Sequence, residues 1–320
     1  MKQIVIGLDT SNYRTSVAAV STEGEILLNR RELLPVAAGE RGLRQSDAVF
    51  AHLKRFNTMR EYLLPEHEEY RIVAVAASAA PRDGEASYMP VFQVGTSFGR
   101  MMAAMTGVPF FETTHQRGHL AAAAYGTRLA DAPDILALHL SGGTTDLLKV
   151  HDDRIGQIGG SLDLHAGQLV DRAGVAMGLP FPAGPALEEL AAVGKSAGLL
   201  GCSMTRDHLW CHFSGAEAQI SRWMQEGSMR REDIAREVYD LLARTISRMM
   251  TAGTQKTGMC DTLVTGGVAS SPLFRDMLEK RLSSIRNAPD AVFGKPEMSG
   301  DNAVGVAMIG LKQWSMAGGL

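Results

Sequence analysis

Two histidines, His115 and His119, stand four residues apart in the segment FFETTHQRGHLAAAA, residues 110–124. The segment predicts a helix, and at this spacing two side chains share one face with about 5–6 Å between their Cβ atoms. Imidazoles in that arrangement can bind one metal ion, as in the zinc protease motif H-E-x-x-H, whose glutamate is the general base. Here Gln116 follows the first histidine, and an amide cannot take a proton from water. The pair therefore predicts either a metal site of a non-peptidase or, taken alone, two histidines on a half-buried helix.

Turns rich in glycine and hydroxyl side chains form a second set of candidates. They span residues 9–15, 141–145, 266–271 and 299–302. Glycine lets a backbone approach a phosphate closely, and hydroxyls and free N–H groups supply donors. One such turn is what any hairpin needs, but four together favour nucleotide binding. The sequence has neither G-x-x-x-x-G-K-[ST] nor G-x-G-x-x-G after a strand, which excludes the two commonest phosphate motifs.

The elements that must position these residues follow an α/β pattern. Residues 3–21 and 135–152 each read as strand, polar turn and strand, and their recurrence about 130 residues apart indicates a duplicated domain. Residues 71–80 and 261–271 each predict a short buried strand that runs into a turn of small residues. Helices are predicted at 95–107 and 231–253, and a Pro/Gly-rich loop at 179–187.

Composition bounds the class of protein. The 320 residues are 45% hydrophobic and 21% charged, which is enough apolar material for a packed core. The net charge of −3 argues against indiscriminate nucleic-acid binding. Cys202, Cys211 and Cys260 are odd in number and lack C-x-x-C spacing, which favours a reducing, cytoplasmic setting. No window reaches the ~18 apolar residues of a membrane span.

Seven motifs in order resemble those of the tRNA threonylcarbamoyladenosine synthase family, once called glycoproteases or O-sialoglycoprotein endopeptidases. GLDTSNYRTS resembles the family's first phosphate hairpin, HQRGH its H-x-x-x-H metal motif, and LSGGTTDLL its S-G-G-H-T motif. AGQLVDRAGVAMGLPFPAGP resembles a nucleoside-contacting helix and loop. HFSGAEA, TGGVASSPLFR and SGDNAVGVAMIG are similar to the three motifs that follow.

The resemblance implies an α/β protein with the actin-like ATPase fold of actin, sugar kinases and chaperone ATPases. Two duplicated lobes would flank a ligand cleft. We expect residues 1–132 to carry the metal-binding histidines and residues 133–298 to carry the nucleotide-binding loops. Residues 299–320 would supply the third metal ligand and pack back on the first lobe.

Site residues follow from the same resemblance. His115, His119 and Asp301 would bind one divalent metal, iron or zinc, and two imidazoles with a carboxylate suit either ion. Asp9 and Ser11 are the expected catalytic residues. The expected contacts of an adenine nucleotide, either ATP or an acyl-adenylate, are Ser141, Gly142, Gly143, Thr144, Gly167, Asp171, Gly184, Gly266, Gly267 and Ser271.

The implied activity is transfer of a threonylcarbamoyl group from its adenylate to the exocyclic amine of a tRNA adenosine next to the anticodon. The metal would act as Lewis acid and template. Accessory proteins of a threonylcarbamoylation complex and a dimer with an actin-like paralogue are the expected partners. The alternative is a non-catalytic paralogue that binds nucleotide and metal as a partner or scaffold.

Several positions depart from the family pattern. Asn12, Tyr13 and Arg14 stand in the first turn, where the family turn E-T-S-C-D-E-T has two acidic residues, and the segment 78–95 replaces a shorter family turn. That segment adds Arg82, Asp83, Glu85 and Tyr88. The other replaced positions are Thr144, Leu164, Gln168, Glu217 and Ser271. Lost carboxylates change both charge and general-base capacity, so an altered substrate is as compatible with the pattern as a standard synthase.

Overall fold

The computed structural model describes residues 1–11, 13–35, 43–59, 69–84, 87–152 and 154–319. Asn12 and Glu85, singled out above, lie outside the described residues. The described strands are β1 (Lys2–Ser11), β2 (Arg14–Ser21), β3 (Ile26–Leu33), β4 (Tyr70–Ala80), β5 (Phe110–Thr114), β6 (Asp134–Leu140), β7 (Thr145–His151), β8 (Arg154–Ser161), β9 (Ser203–Met204), β10 (Trp210–His212), β11 (Asp261–Thr265) and β12 (Asp290–Phe293). The described helices are α1 (Gln45–Met59), α2 (Phe92–Thr106), α3 (His115–Ala124), α4 (Ala166–Ala176), α5 (Gly184–Ala192), α6 (Ser214–Glu226), α7 (Arg231–Thr257), α8 (Pro272–Ser283) and α9 (Val304–Trp314).

The chain divides into two compact units. Unit 1 contains Met1–Tyr125 and Gly300–Leu320, and unit 2 contains Gly126–Ser299. The sequence-based boundaries of 132/133 and 298/299 compare with observed boundaries of 125/126 and 299/300. The last helix, α9, packs on β1, β4 and α3 within unit 1.

The sheet of unit 1 has the strand order β3-β2-β1-β4-β5. β1 pairs antiparallel with β2 and parallel with β4. Because side chains alternate along a strand, Thr10 and Asp9 point to opposite faces. On one face Thr10 donates to the Val91 carbonyl (2.8 Å) and accepts from Gly95 N–H (3.1 Å), at the start of α2. On the other face Gly7 meets α9, where an added Cβ would lie 2.5 Å from the Ala303 oxygen.

The sheet of unit 2 repeats this design. Its order is β12-β11-β6-β7-β8-β10-β9, with β6–β7 and β7–β8 antiparallel and β6–β11 and β11–β12 parallel. Strands β6, β7 and β8 therefore match β1, β2 and β3 of unit 1, and β11 and β12 match β4 and β5. The short strands β9 and β10 extend the edge beyond β8. The duplication read from the two hairpins is confirmed.

The structure corrects two sequence-based elements. Residues 110–114 form strand β5 instead of the first turns of a helix, and α3 begins at His115. FFETT has the aromatic and β-branched residues that favour strands, and pairing with β4 settles the choice. The expected loop at 179–187 is helical from Gly184 onwards, where Pro185 suits the first turn of α5. Both hairpins and the helices at 95–107 and 231–253 are confirmed, within a few residues at their ends.

Candidate functional site

Helix α3 places the two histidines at its beginning. Thr114 caps the helix, its side chain accepting from Arg117 N–H, so His115 is the first helical residue and His119 follows one turn later. Helix α9 packs tightly against α3: a Cβ added to Gly305 would lie 1.9 Å from the Gly118 oxygen. This close packing brings the residues just before α9 alongside the first turn of α3.

His115, His119 and Asp301 converge at that point. The two Nε2 atoms are 3.0 Å apart, and Asp301 Oδ1 lies 3.2 Å from His119 Nε2 and 3.7 Å from His115 Nε2. Ligand atoms bound to zinc at 2.0–2.1 Å in tetrahedral geometry lie roughly 3.4 Å from one another. The observed spacing therefore fits three ligands of one tetrahedral ion with a fourth position left for substrate or water. Among the described residues, His115, His119 and Asp301 form the one cluster of three or more histidine, cysteine or carboxylate side chains close enough to share a metal ion.

Asp9 and Ser11, the expected catalytic pair, contact the triad directly. The buried Asp9 carboxylate lies 3.0–3.1 Å from Nδ1 of His115, and Ser11 Oγ donates to Asp301 Oδ2 at 3.0 Å. A carboxylate at Nδ1 keeps a proton on that nitrogen, so the Nε2 lone pair of His115 faces the metal position. Asp9 and Ser11 thus orient two of the three candidate ligands.

The charges of this cluster shift two pKa values. Burial disfavours the imidazolium of His115, but the Asp9 charge and hydrogen bond, with the Asp301 charge, outweigh it and raise its pKa to about 9. Burial likewise disfavours the Asp301 carboxylate, but His119, His115 and Ser11 hold its pKa far below the usual value. Without metal, a proton on His115 compensates part of the charge of the two carboxylates. A divalent cation would take over that compensation.

The segment 78–95 reinforces the start of α3. Asp83 accepts a forked pair of bonds from Arg117 (2.8 Å each at Nε and Nη2) and one from Thr114 Oγ1 (3.2 Å). It therefore holds both the cap and the first turn of α3, the helix that carries the two histidines. Tyr88, by contrast, is 65% exposed, and Arg82 uses its backbone N–H to bond Ser87.

In unit 2, the turn between β6 and β7 is closed by its own hydroxyls. Ser141 Oγ accepts from the N–H groups of Gly143 (3.2 Å) and Thr144 (3.1 Å) and lies 2.8 Å from Thr144 Oγ1. Gly142 and Gly143 face open space, since a Cβ on either would meet nothing within 4 Å. Gly167, at the start of α4, packs on this turn so closely that a Cβ would lie 2.6 Å from Gly142 N.

A cavity of about 370 Å³ lies beside this turn. Of the ten expected nucleotide contacts, those that line it are Gly142, Gly167, Asp171, Gly184, Gly267 and Ser271. The expected residues outside its lining are Ser141, Gly143, Thr144 and Gly266, which belong to the adjoining turns. Gly266 has a φ of +106° and crosses Leu140, where a Cβ would lie 2.2 Å from the oxygen.

Sequence reasoning missed several residues of the cavity, chiefly Glu188, Tyr239 and Ser270. Glu188 stands four residues after Gly184 on α5, and this helical spacing is a signal that could have found it. Tyr239 lies in the middle of α7, and its hydroxyl donates to the Gly184 carbonyl at 3.2 Å. Burial and the nearby Glu188 charge raise its pKa. Nothing in the spacing of α7 points to that contact.

The remaining carboxylate and hydroxyl of the cavity also support its walls. Asp171 Oδ1 accepts from Ala183 N–H at 2.8 Å, which fixes the loop before α5. Ser271 caps α8 by accepting from Phe274 N–H at 3.1 Å.

Three positions that depart from the family pattern have local roles in unit 2. Leu164 is buried in the core, and Gln168 accepts from His165 N–H at 3.1 Å at the start of α4. Glu217 on α6 forms an ion pair with Arg172 at 3.0 Å. These side chains stabilise secondary structure where the family pattern has carboxylates or a lysine.

Searching the described helices for a segment long and apolar enough to cross a membrane finds none.

Solved structures similar to the chain share its fold. Full-length HypF in its phosphate- and nucleotide-bound form aligns with a TM-score of 0.60 and 11% identity, over 98% of this chain and 46% of that one. A ROK family glucokinase from Streptomyces griseus, in complex with glucose and AMPPNP, aligns with a TM-score of 0.56 and 14% identity, over 97% and 99%. The chain has the actin-like ATPase fold, with two mixed sheets.

Sequence relatives are more specific. A tRNA N6-adenosine threonylcarbamoyltransferase of Methanopyrus kandleri is 27% identical over 313 residues, covering 96% of this chain and 87% of the relative. One of Oenococcus oeni is 28% identical, covering 96% and 90%. A probable bifunctional tRNA threonylcarbamoyladenosine biosynthesis protein of Methanocaldococcus jannaschii is 26% identical, and the chain spans 55% of its length.

The model of one protein family, TsaD, matches residues 48–307. That span contains both histidines and Asp301, as well as the residues that line the cavity of unit 2. The chain belongs to the TsaD family, the tRNA N6-adenosine threonylcarbamoyltransferases.

Proposed function

We propose that the protein transfers a threonylcarbamoyl group from its adenylate to the exocyclic amine of a tRNA adenosine next to the anticodon. The amine nitrogen forms a bond to the carbamoyl carbon, the bond from that carbon to the phosphate oxygen breaks, and AMP leaves while the amine loses a proton. The observation that carries the proposal is the convergence of His115, His119 and Asp301, with Asp9 and Ser11 holding two of them.

The residues of unit 1 would bind one divalent ion, zinc or iron. Two imidazole nitrogens and a carboxylate oxygen suit either metal, and the spacing of 3.0–3.7 Å fits a shared ion. Such an ion supplies Lewis-acid stabilisation of the negative charge that develops on phosphate or carbamoyl oxygens. The role of Asp9 is to keep the His115 ring oriented, and that of Ser11 is to keep Asp301 oriented.

The residues of unit 2 would bind the adenylate. A cavity of about 370 Å³ is within the range of pockets for small ligands. Backbone groups at Gly142 and Gly267 permit close approach of a phosphate or base. The carboxylates of Asp171 and Glu188 can accept hydrogen bonds from ribose hydroxyls.

A partner protein with an apolar surface would bind α1 and α2. Exposed apolar side chains recur on these helices at helical spacing: Phe50, Leu53, Phe98, Met101 and Met105, between 42% and 81% exposed. The rings of Phe56 and Phe98 pack between the two helices, with centroids 4.8 Å apart and planes tilted by 33°. Exposed apolar side chains grouped on neighbouring helices mark a candidate protein-interaction surface. An actin-like paralogue is the partner we propose, and Met101→Glu should reduce its co-elution with the protein in gel filtration.

The second candidate function is a non-catalytic nucleotide- and metal-binding scaffold. It is favoured by Gln168 and Glu217, because Gln168 accepts a hydrogen bond from His165 N–H and Glu217 forms an ion pair with Arg172, both within unit 2. It is also favoured by Arg14, which stands where the family pattern has an acidic residue. A scaffold would bind the same ligands without transferring the group.

The test combines composition and activity. The purified protein should contain about one zinc or iron per chain and retain an adenine nucleotide, and His119→Ala should lose the metal while keeping the nucleotide. With threonylcarbamoyl-adenylate and unmodified tRNA, mass spectrometry of digested tRNA should detect the modified adenosine. Metal and nucleotide without modification would establish the scaffold instead. Absence of both ligands from wild-type protein would refute both functions.

A further inference from the structure

One face of the sheet in unit 1 ends in a row of charged side chains. Asp9 pairs with Ser16 across β1 and β2, and Ser16 pairs with Arg31 across β2 and β3. In the neighbouring row, Ser11 pairs with Arg14. Directly opposed residues share a face, and so do residues two apart in one strand. Arg14 and Arg31 therefore lie on the same face as Asp9 and Ser11.

The two guanidinium groups meet next to the metal ligand Asp301. Arg14 Nη1 donates to the Asp301 carbonyl at 3.4 Å. A Cβ added to Gly300 would lie 3.4 Å from Arg14 Nη1 and 4.0 Å from Arg31 Nη1. These distances place the two nitrogens at most about 7.4 Å apart. Two donor nitrogens that each bind a different oxygen of one anion, with bonds of about 2.8 Å, can be up to roughly 8 Å apart. A single phosphate or carboxylate can therefore contact both guanidinium groups.

The two arginines favour an anion beside the triad. A divalent ion would compensate the Asp9 and Asp301 carboxylates, and Arg14 and Arg31 then add positive charge that an anionic group of the ligand can neutralise. The family pattern has acidic side chains at the turn where Tyr13 and Arg14 stand, and there the surroundings of the ion would be negative. Replacing an acid by arginine inverts the local charge and introduces a fork suited to carboxylate and phosphate groups.

We propose that Arg14 and Arg31 bind an anionic group, phosphate or carboxylate, of the ligand that occupies the metal site. The inference rests on the proposed function and deepens it, since it names the chemistry that sets ligand specificity on the side of the first hairpin. Arg14 is half-buried and Arg31 is exposed, so an incoming ligand can reach both.

The test measures anion binding directly. Zinc-loaded wild-type protein is titrated calorimetrically with inorganic phosphate and, separately, with N-carbamoylthreonine, which carries a carboxylate and no phosphate. Arg14→Gln, Arg31→Gln and the double variant are compared with Arg30→Gln. Arg30 is the matched control: it lies next to Arg31 on the opposite face of β3 and forms an ion pair with Glu32 at 3.2 Å.

At least one probe should bind wild type and Arg30→Gln equally. Each single variant should weaken that binding about tenfold and the double variant more than tenfold, with zinc content unchanged. Phosphate binding alone would identify the adenylate end of the ligand, and carbamoylthreonine binding alone would identify its amino-acid end. The proposal is overturned if neither probe binds, if the double variant binds like wild type, or if zinc is lost together with the anion, because Arg14 would then merely support Asp301. Failure of the proposed function is a separate result, namely absence of tRNA modification by a protein that binds the anion as expected.

Discussion

Metal binding should compete with one proton on His115. The Asp9 and Asp301 carboxylates, opposed by burial, raise the pKa of this imidazole to about 9, so at neutral pH the metal-free protein holds it as the imidazolium. A metal ion needs the Nε2 lone pair and must displace that proton. Between pH 6.5 and 8.5 we therefore expect the apparent zinc dissociation constant to fall about tenfold for each unit of pH.

The size of the effect follows from the pKa. A pH of 7 is about two units below the pKa of the imidazole, and each unit corresponds to about 1.4 kcal/mol, so displacing the proton costs roughly 3 kcal/mol. The same proton stabilises the metal-free fold. A histidine with a raised pKa contributes stability that is complete below the unfolded value of 6.5 and is lost as pH rises through about 9. Metal-free protein should thus lose up to about 3 kcal/mol of unfolding free energy over that interval.

Asp9→Asn separates the two roles of the aspartate. It removes the charge that raises the pKa of His115, so the dependence of zinc affinity on pH should become shallower. It also replaces the charged acceptor of the ring N–H by a neutral amide oxygen that holds the ring less firmly, so affinity at pH 9 should fall about 10- to 100-fold. The deficit of the variant should therefore shrink as pH decreases. Competition titrations with a chromophoric zinc chelator at five pH values would measure both slopes.

Asp47→Asn is the matched control, because it removes an exposed carboxylate of α1 and should leave the wild-type slope unchanged. Parallel slopes for wild type and Asp9→Asn would refute the reasoning, since they would mean that Asp9 does not govern the proton on His115. A wild-type affinity independent of pH below 8.5 would refute it more directly.

The other predictions concern the supports of the two sites. Asp83→Asn weakens the forked bonds to α3, so it should reduce zinc affinity about three- to tenfold in the same chelator assay, whereas Asp47→Asn should not. Gly167→Ala should abolish binding of AMP measured by calorimetry because its Cβ would collide with the turn at 2.6 Å, and Gly143→Ala, where a Cβ meets open space, should bind normally. Glu237→Gln should lower the unfolding free energy in urea by about 1–3 kcal/mol, because this fully buried carboxylate accepts three N–H groups of the segment 197–200 and an amide has one acceptor oxygen. An unchanged value in any of these assays would show that the corresponding contact does not support its site or its fold.

The elements that sequence predicted well are those with local signals. The hairpin 3–21 and the helix beginning at residue 231 follow from periodicity and turn residues, and both are confirmed. The beginning of α3 was not predictable in this way, because FFETT continues smoothly into HQRGH. Its strand state depends on pairing with β4, which lies some 30 residues earlier. Local pattern therefore located the histidines on a helix but placed the helix start five residues too early.

The same distinction applies to the site. The triad could be listed from motifs, but the contact of Asp9 with His115 joins residues 106 positions apart and depends on how α3 enters from β5. In unit 2, Tyr239 reaches the cavity only because α7 packs against α5 and presents its hydroxyl to Gly184. No spacing within either helix encodes that contact.

The residues that depart from the family pattern differ from one another in what they contact. Gln168 and Glu217 bond to residues of their own unit, so each replacement is explained by local structure alone. Arg14 is different, because its guanidinium reaches the backbone of a candidate metal ligand and a second arginine from β3 approaches the same point. The first hairpin is therefore a better candidate for a change in ligand specificity than the replaced polar positions of unit 2. Anion binding by Arg14 and Arg31 would show that the replacement at residue 14 altered the ligand and was not a neutral substitution.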